Sequence, residues 1–89
     1  MAKKLKKIWY VYIIECGNGK LYTGITIDIK RRLRQHTNGS GARFTKLNGV
    51  KALVYQEISS SRPKALKREI QIKRWPRLKK LQLIENSQD

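Results

Sequence analysis

The amino-acid sequence predicts an α+β fold, a small α/β sandwich in which helices flank a three-stranded, mainly antiparallel sheet. Three observations lead to this class: an aromatic and β-branched run at residues 8–14, a glycine-containing turn directly after it, and two later stretches with apolar residues at helical spacing. The element order that follows is β-β-α-β-α-α. A chain of 89 residues is long enough for one domain with one thin core.

The first half of the chain predicts a hairpin followed by a helix. Residues 8–14 (IWYVYII) suit a strand that is buried on both faces. Residues 17–20 (GNGK) offer the glycines of a tight turn, and residues 21–26 (LYTGIT) form the second strand. Asp28 can cap a helix over residues 29–38.

The middle of the chain predicts a loop and the third strand. Residues 38–49 carry three glycines without clear periodicity, which indicates a basic loop in which Arg43 and Lys46 can touch phosphate. Residues 51–58 alternate as a strand does, with Val54 and Tyr55 on opposite faces.

Two helices complete the predicted fold. The serines at residues 59–61 offer caps for the second helix, which runs until Trp75 and Pro76 interrupt it, and Pro76 can open the third. We expect the domain to span residues 8–84. Residues 1–7 would be a basic N-terminal tip, and residues 85–89 a polar tail that frays.

Composition points to the class of partner. The chain has 21 Lys or Arg against 6 Asp or Glu, a net charge of +15, and is therefore attracted to polyanions. Nucleic acid is the expected partner. The other polyanion, a membrane surface, is disfavoured because binding to it would require a strongly apolar face opposite the basic residues of one helix. No apolar run approaches the roughly 20 residues of a membrane span. With one cysteine and no export signal, we expect a cytoplasmic protein.

Two tyrosines in the predicted hairpin are candidates for chemistry. Alternate residues of a strand share a face, so Tyr12 and Tyr22 face each other if the register of the hairpin permits it. Gly24 removes a side chain where another backbone or a ligand can approach closely. The alternative is structural, since tyrosines are common cross-strand neighbours and a strand glycine can simply mark a bulge.

The predicted first helix places a cation near the only histidine of the chain. Arg32 and His36 are four residues apart and therefore lie one above the other on one face. The planar guanidinium suits a phosphate and histidine titrates near neutrality, so the pair can grip a phosphate and move a proton. The alternative is that both are solvated. Metal binding by His36 is disfavoured, because no Cys or second His stands at zinc spacing from it.

Glu69 is the only acid among nine basic residues between Arg62 and Lys80. A carboxylate in a positive field stays ionised, and it can hold one Mg²⁺ whose other ligands are waters and a substrate phosphate. The alternative is an ordinary intrahelical ion pair with Lys73, four residues further on.

Together these residues resemble the GIY-YIG nuclease superfamily, and within it the small stand-alone bacterial proteins. The two family motifs are matched by YVY at residues 10–12 and YTG at residues 22–24, and Arg32 and His36 have the family's helix spacing. Residues 65–74 (ALKREIQIKR) resemble the helix that carries the metal-binding glutamate.

The resemblance covers residues 9–84, with two departures. The first motif begins with Tyr10 where the superfamily has glycine, and the superfamily's late asparagine has no match before Asn86 in the predicted tail.

The resemblance implies metal-dependent hydrolysis of phosphodiester bonds in DNA. Tyr12 would be the general base beside the attacking water, and Tyr22 would orient water or phosphate. Arg32 would hold the scissile phosphate, His36 would assist proton transfer, and Glu69 would bind the one Mg²⁺ or Mn²⁺ that stabilises the leaving oxygen. A tyrosine with an ordinary pKa near 10 can act as a base near neutrality only if cations such as Arg32 depress that pKa.

The resemblance also bears on partners. DNA is expected rather than RNA, in a setting of repair or recombination, and a protein partner can supply specificity because larger relatives carry separate DNA-binding domains. The alternative is a non-catalytic nucleic-acid-binding module with the same fold. The residues predicted to contact nucleic acid are Arg32, Arg43, Lys46, Lys67, Arg68, Lys73 and Arg74.

Overall fold

A computed structural model describes residues 7–87 and confirms the predicted fold class. The strands are β1 (Trp9–Glu15), β2 (Leu21–Thr26) and β3 (Ala52–Ser59), and the helices are α1 (Ile29–Thr37), α2 (Arg43–Asn48), α3 (Arg62–Lys73) and α4 (Arg77–Asn86). The order is β-β-α-α-β-α-α, one helix more than the sequence predicts. Among residues 7–87, no helix has both the length and the apolar character needed to cross a bilayer.

The three strands form one antiparallel sheet in the order β2-β1-β3. β1 takes the central position because its residues 11–14 (VYII) present apolar side chains to both faces of the sheet. All four are buried. The β1–β2 register pairs Tyr12 with Gly24 and Ile14 with Tyr22, so both candidate tyrosines lie on the same face.

The core occupies both faces of the sheet. One face is covered by α3 and α4, which bury Val11, Ile13, Ala65, Ile72 and Ile84 in one cluster. The opposite face is covered by α1, and there Ile29 and Leu33 pack against Tyr12 and Ile14. The candidate tyrosines therefore belong to the α1 side of the sheet.

β3 does not follow the predicted alternation. Ile13 pairs with Tyr55 and Ile14 pairs with Leu53, which leaves Val54 as an extra residue in the ladder. Val54 and Tyr55 consequently both pack against the α3 side of the core. The prediction that they lie on opposite faces is wrong, because the register shift interrupts the period of two.

The segment predicted as a loop contains α2. This six-residue helix has no side-chain bond at its N-cap, Ala42, and ends at Gly49, which has a φ of 74°. A helix this short shows no apolar periodicity, so the sequence gives little sign of it. α2 packs against α1, burying Thr45 and leaving Arg43 and Lys46 exposed.

Side-chain caps fix where α1 and α3 begin. Asp28 accepts a hydrogen bond from the Arg31 amide at 3.1 Å, and Ser61 accepts one from the Lys64 amide at 3.3 Å. Each cap stabilises its helix by about 1 kcal/mol. The predicted basic tip lies outside the described residues except for Lys7. At the other end α4 continues to Asn86, and residues 88 and 89 of the predicted tail lie outside the described part.

We expect the Ile72→Ala substitution to lower the free energy of unfolding by about 2–5 kcal/mol, because it leaves a cavity beneath α3 where the side chain is fully buried. The matched control is Leu78→Ala on α4, where the side chain is 68% exposed and the change should stay within about 0.5 kcal/mol. Urea unfolding followed by tryptophan fluorescence measures both. Equal effects of the two substitutions would contradict the described core.

Candidate active site

A buried tyrosine–histidine contact forms the centre of the site. The Tyr12 Oη atom lies 2.8 Å from His36 Nε2, and the two residues are 2% and 1% exposed. Tyr12 comes from the central strand, and His36 comes from the inward side of α1. The Asp28 cap sets the start of α1 and thereby decides which of its residues face the sheet.

Two glycines make room for this pair. A Cβ atom on Gly24 would lie 2.5 Å from Tyr12 Oη, because the tyrosine ring folds over the neighbouring strand. A Cβ atom on Gly41 would lie 2.7 Å from His36 Nδ1. The close approach that Gly24 was expected to permit is therefore that of Tyr12 itself.

Thr45 contacts the second nitrogen of the histidine. The Thr45 Oγ1 atom lies 2.6 Å from His36 Nδ1 and also donates a hydrogen bond to the Ala42 carbonyl at 2.9 Å. Thr45 is 1% exposed. The sequence did not indicate this residue, because the contact depends on the turn that folds α2 back onto α1.

Arg32 lies beside the Tyr12 hydroxyl. Its Nε donates to Tyr12 Oη at 3.4 Å, and its Nη1 donates to Gln35 Oε1 at 3.0 Å. The helical spacing therefore brings Arg32 and His36 to one object, as the sequence indicated, and that object is a tyrosine hydroxyl. Gln35, which holds the guanidinium, was not indicated by the sequence.

Tyr22 and Glu69 flank this centre. The Tyr22 ring centroid is 6.3 Å from that of Tyr12 and 5.1 Å from that of His36. Lys73 links the glutamate to Tyr22, since its Nζ lies 6.0 Å from the Tyr22 ring centroid and 3.4 Å from Glu69 Oε2. The structure thus brings all five predicted catalytic residues to one region.

Burial controls the protonation of the central pair. It raises the pKa of Tyr12 above its usual value of 10.0, and this outweighs the hydrogen bond from Arg32, which acts in the opposite direction. Arg32 does act to lower the pKa of Tyr12, but burial outweighs it, so the condition for an ordinary tyrosinate base near neutrality is not met. Burial also lowers the pKa of His36 to about 4, and the positive charge of Arg32 contributes to this shift. Both groups are neutral at pH 7.

Some of the side chains predicted to contact nucleic acid are exposed, and others are already paired with a carboxylate. Arg43, Lys46, Lys67 and Arg74 are exposed on α2 and α3. Arg68 instead binds the Glu57 carboxylate through its Nε, at 3.0 and 3.2 Å from the two oxygens, and covers the Trp75 ring. Lys73 is paired with Glu69.

The site offers one carboxylate to a metal ion. Within residues 7–87, no three His, Cys, Asp or Glu side chains cluster as a metal cage. Mg²⁺ does not require one, because it keeps several waters and combines them with one or two carboxylates and substrate phosphates. Glu69 fits that pattern as a single carboxylate whose side chain is 16% exposed, and a metal ion there would have to displace the Lys73 ammonium.

Comparison with known proteins decides the family. The model of the GIY-YIG catalytic domain matches residues 8–82 of this chain. The chain belongs to the GIY-YIG family. Membership implies a nuclease-like function and a nucleic-acid partner, and GIY-YIG nucleases generally depend on a divalent metal ion.

Similar proteins within the family include small bacterial UPF0213 proteins. One from Staphylococcus saprophyticus is 49% identical over 75 residues, which cover 84% of this chain and 92% of the relative. One from Staphylococcus aureus is 46% identical over 76 residues, or 85% and 93% of the two chains. The solution NMR structure of the UPF0213 protein BH0048 from Bacillus halodurans is 40% identical, with a TM-score of 0.57 over 88% of this chain and 83% of that one. The matched region thus covers nearly the whole length of the two staphylococcal relatives.

Because the folded state disfavours protonation of His36, we expect stability to fall as the pH drops from about 6.5 towards 4. The unfolded chain binds the proton at its ordinary pKa of 6.5, whereas the folded chain binds it only near 4. The free energy of unfolding should therefore be lower at pH 5.0 than at pH 7.5 by about 2 kcal/mol.

Urea unfolding at the two pH values measures this difference, and His36→Gln is the control that removes the titrating group. We expect a flatter pH dependence for the variant. NMR titration of the single imidazole gives the pKa directly, and a value near 6.5 in the folded chain would contradict the prediction.

Proposed function

We propose that this GIY-YIG domain is a Mg²⁺-dependent or Mn²⁺-dependent endonuclease that hydrolyses phosphodiester bonds in DNA. The observation that carries the proposal is the convergence of Arg32 and His36 on the Tyr12 hydroxyl, with Glu69 linked to the Tyr22 ring through Lys73. This arrangement supplies a phosphate-binding cation, a path for a proton and a metal-binding carboxylate in one place.

Tyr12 acts as the general base through His36. As water attacks the phosphorus atom, the Tyr12 oxygen accepts the water proton while the Tyr12 hydroxyl proton passes to His36 Nε2. The bond from phosphorus to the leaving oxygen then breaks, that oxygen takes up a proton from solvent, and His36 gives up the proton that it accepted. This coupled transfer avoids a free tyrosinate, which the raised pKa of Tyr12 disfavours.

The remaining residues position the phosphate and its charge. Arg32 holds the scissile phosphate, since its guanidinium lies beside the Tyr12 hydroxyl and provides a planar set of donors. Tyr22 orients the water or the phosphate from the adjacent strand. Glu69 would hold the divalent ion, which would supply Lewis-acid stabilisation of the negative charge on the leaving group.

DNA binds by charge rather than by sequence in this proposal. The exposed Arg43, Lys46, Lys67 and Arg74 side chains contact phosphates, which position a duplex but carry no sequence information. Target choice then comes from DNA structure or from a protein partner, in a setting of repair or recombination. Affinity should fall steeply with salt.

A non-catalytic DNA-binding module remains the second candidate. The observation that favours it is the Glu69–Lys73 pair, because a carboxylate neutralised at 3.4 Å is less available to a metal ion. Both candidates use the same basic surface, so only cleavage distinguishes them.

We expect metal-dependent cleavage that Tyr12→Phe and Glu69→Gln each reduce on the order of 100-fold or more, because they remove the proton-accepting oxygen and the metal ligand. The matched control is Glu85→Gln, which removes an exposed carboxylate of α4. The substrates are single-stranded, duplex, flapped and branched DNA and RNA, each with Mg²⁺, Mn²⁺ or EDTA. A chain that binds every substrate and cuts none would contradict the nuclease proposal for the isolated chain and favour the binding module.

We expect Lys73→Met to strengthen Mn²⁺ binding several-fold, because the Lys73 ammonium competes for the Glu69 carboxylate. Lys67→Met, on the exposed side of the same helix, is the matched control for the loss of one positive charge. Electron paramagnetic resonance of free Mn²⁺ measures both affinities without any cleavage. The same gain in both variants would indicate a general effect of net charge and not competition at Glu69.

A further inference from the structure

We propose that Thr45 is a positioning residue that fixes the tautomer of His36, so that Nε2 faces Tyr12 as a proton acceptor. Its consequence for catalysis depends on the proposed nuclease function, whereas the tautomer itself follows from the hydrogen bonds alone. The side-chain hydrogen bonds of Thr45 go to His36 and to the Ala42 carbonyl, so its effect on Tyr12 passes through the imidazole.

A neutral imidazole carries one N–H and one unprotonated nitrogen, and here both nitrogens have a hydroxyl partner. Nε2 lies 2.8 Å from the Tyr12 hydroxyl, and Nδ1 lies 2.6 Å from the Thr45 hydroxyl. Each hydroxyl is able to donate or accept. If one of these hydroxyls donates its hydrogen to another acceptor, it can only accept from the imidazole, and this decides the tautomer.

The Thr45 hydroxyl is the one that donates to another acceptor. It donates to the Ala42 carbonyl at 2.9 Å, and a carbonyl oxygen can only accept. The Thr45 oxygen must then accept from His36, which places the imidazole hydrogen on Nδ1. Nε2 is left unprotonated, and the Tyr12 hydroxyl donates to it.

The other side of Tyr12 supports the same direction. Arg32 Nε, which can only donate, points at the Tyr12 oxygen from 3.4 Å. In the opposite tautomer the Tyr12 oxygen would accept from both Arg32 and His36, and its own hydrogen would have neither of them as an acceptor. A buried donor without an acceptor is costly, so that arrangement is disfavoured.

The imidazole cannot readily escape this constraint. Gly41 lies so close that a Cβ atom there would be 2.7 Å from Nδ1, and both His36 and Thr45 are about 1% exposed. The backbone on one side and the Thr45 hydroxyl on the other hold the ring in place. The tautomer is thus a consequence of how α2 packs on α1.

Long-range ¹H–¹⁵N correlation spectra of the full chain at pH 7 test the proposal. The chain has one histidine, so every imidazole signal belongs to His36. We expect a protonated Nδ1 and an unprotonated Nε2 in the wild-type chain. A wild-type chain with the hydrogen on Nε2 would overturn the proposal without any variant being made.

Two variants separate the hydroxyl from the shape of the side chain. Thr45→Val keeps the shape and removes the acceptor for Nδ1–H, so the population should shift towards the Nε2–H tautomer. Thr45→Ser keeps the hydroxyl and should retain the wild-type tautomer. A folded Thr45→Val chain that keeps the hydrogen on Nδ1 would overturn the proposal, and if this variant does not fold, the wild-type spectrum still decides it.

Cleavage kinetics then test the catalytic consequence. We expect Thr45→Val to lower kcat at least tenfold with little change in KM. Thr45→Ser should keep a kcat close to that of the wild-type chain. A shifted tautomer with wild-type cleavage would overturn the positioning role. The predicted tautomer in a chain that cleaves no substrate would instead leave the assignment standing and reject the proposed nuclease function.

Discussion

The structure depends on burying the hydroxyl end of Tyr12 between the sheet and α1. A buried hydroxyl is costly unless it is hydrogen-bonded, and His36 at 2.8 Å supplies the bond. This requirement explains the surrounding sequence: glycine at position 24 admits the tyrosine ring, and Asp28 begins α1 where His36 faces inward. This contact therefore helps to attach the helix to the sheet, and it is also the proton path of the proposed mechanism.

Burial, more than local charge, sets the chemistry of that contact. It raises the pKa of Tyr12 and lowers that of His36, so the two groups meet as a neutral O–H donor and a neutral nitrogen. Arg32 cannot turn Tyr12 into a stable anion against this effect. It adds to the cost of protonating His36, so the imidazole stays neutral at rest. Tyr12 and His36 are therefore better suited to passing a proton during a reaction than to holding charge at rest.

The sequence predicted those features that local rules control. The apolar run of β1, the cap at Asp28 and the four-residue spacing of Arg32 and His36 each follow from short-range geometry, and the structure agrees with them. Thr45 and the helix that carries it could not be predicted, because their contacts arise only after α2 folds onto α1. The direction of the Tyr12 pKa shift was also out of reach, since it depends on how deeply the finished fold buries the ring.

The Glu69–Lys73 pair joins the basic surface to the candidate metal site. An ion pair at i,i+4 contributes only about 0.3–0.5 kcal/mol, and the Lys73 side chain is 51% exposed, so a divalent ion can displace it at small cost. Once released, the ammonium lies on a surface whose other cations attract phosphate. In the proposed mechanism a DNA phosphate can therefore pair with Lys73 when Glu69 releases it to bind the metal ion. Binding of the polyanion and binding of the metal ion would then favour each other, because both draw apart the same two charges.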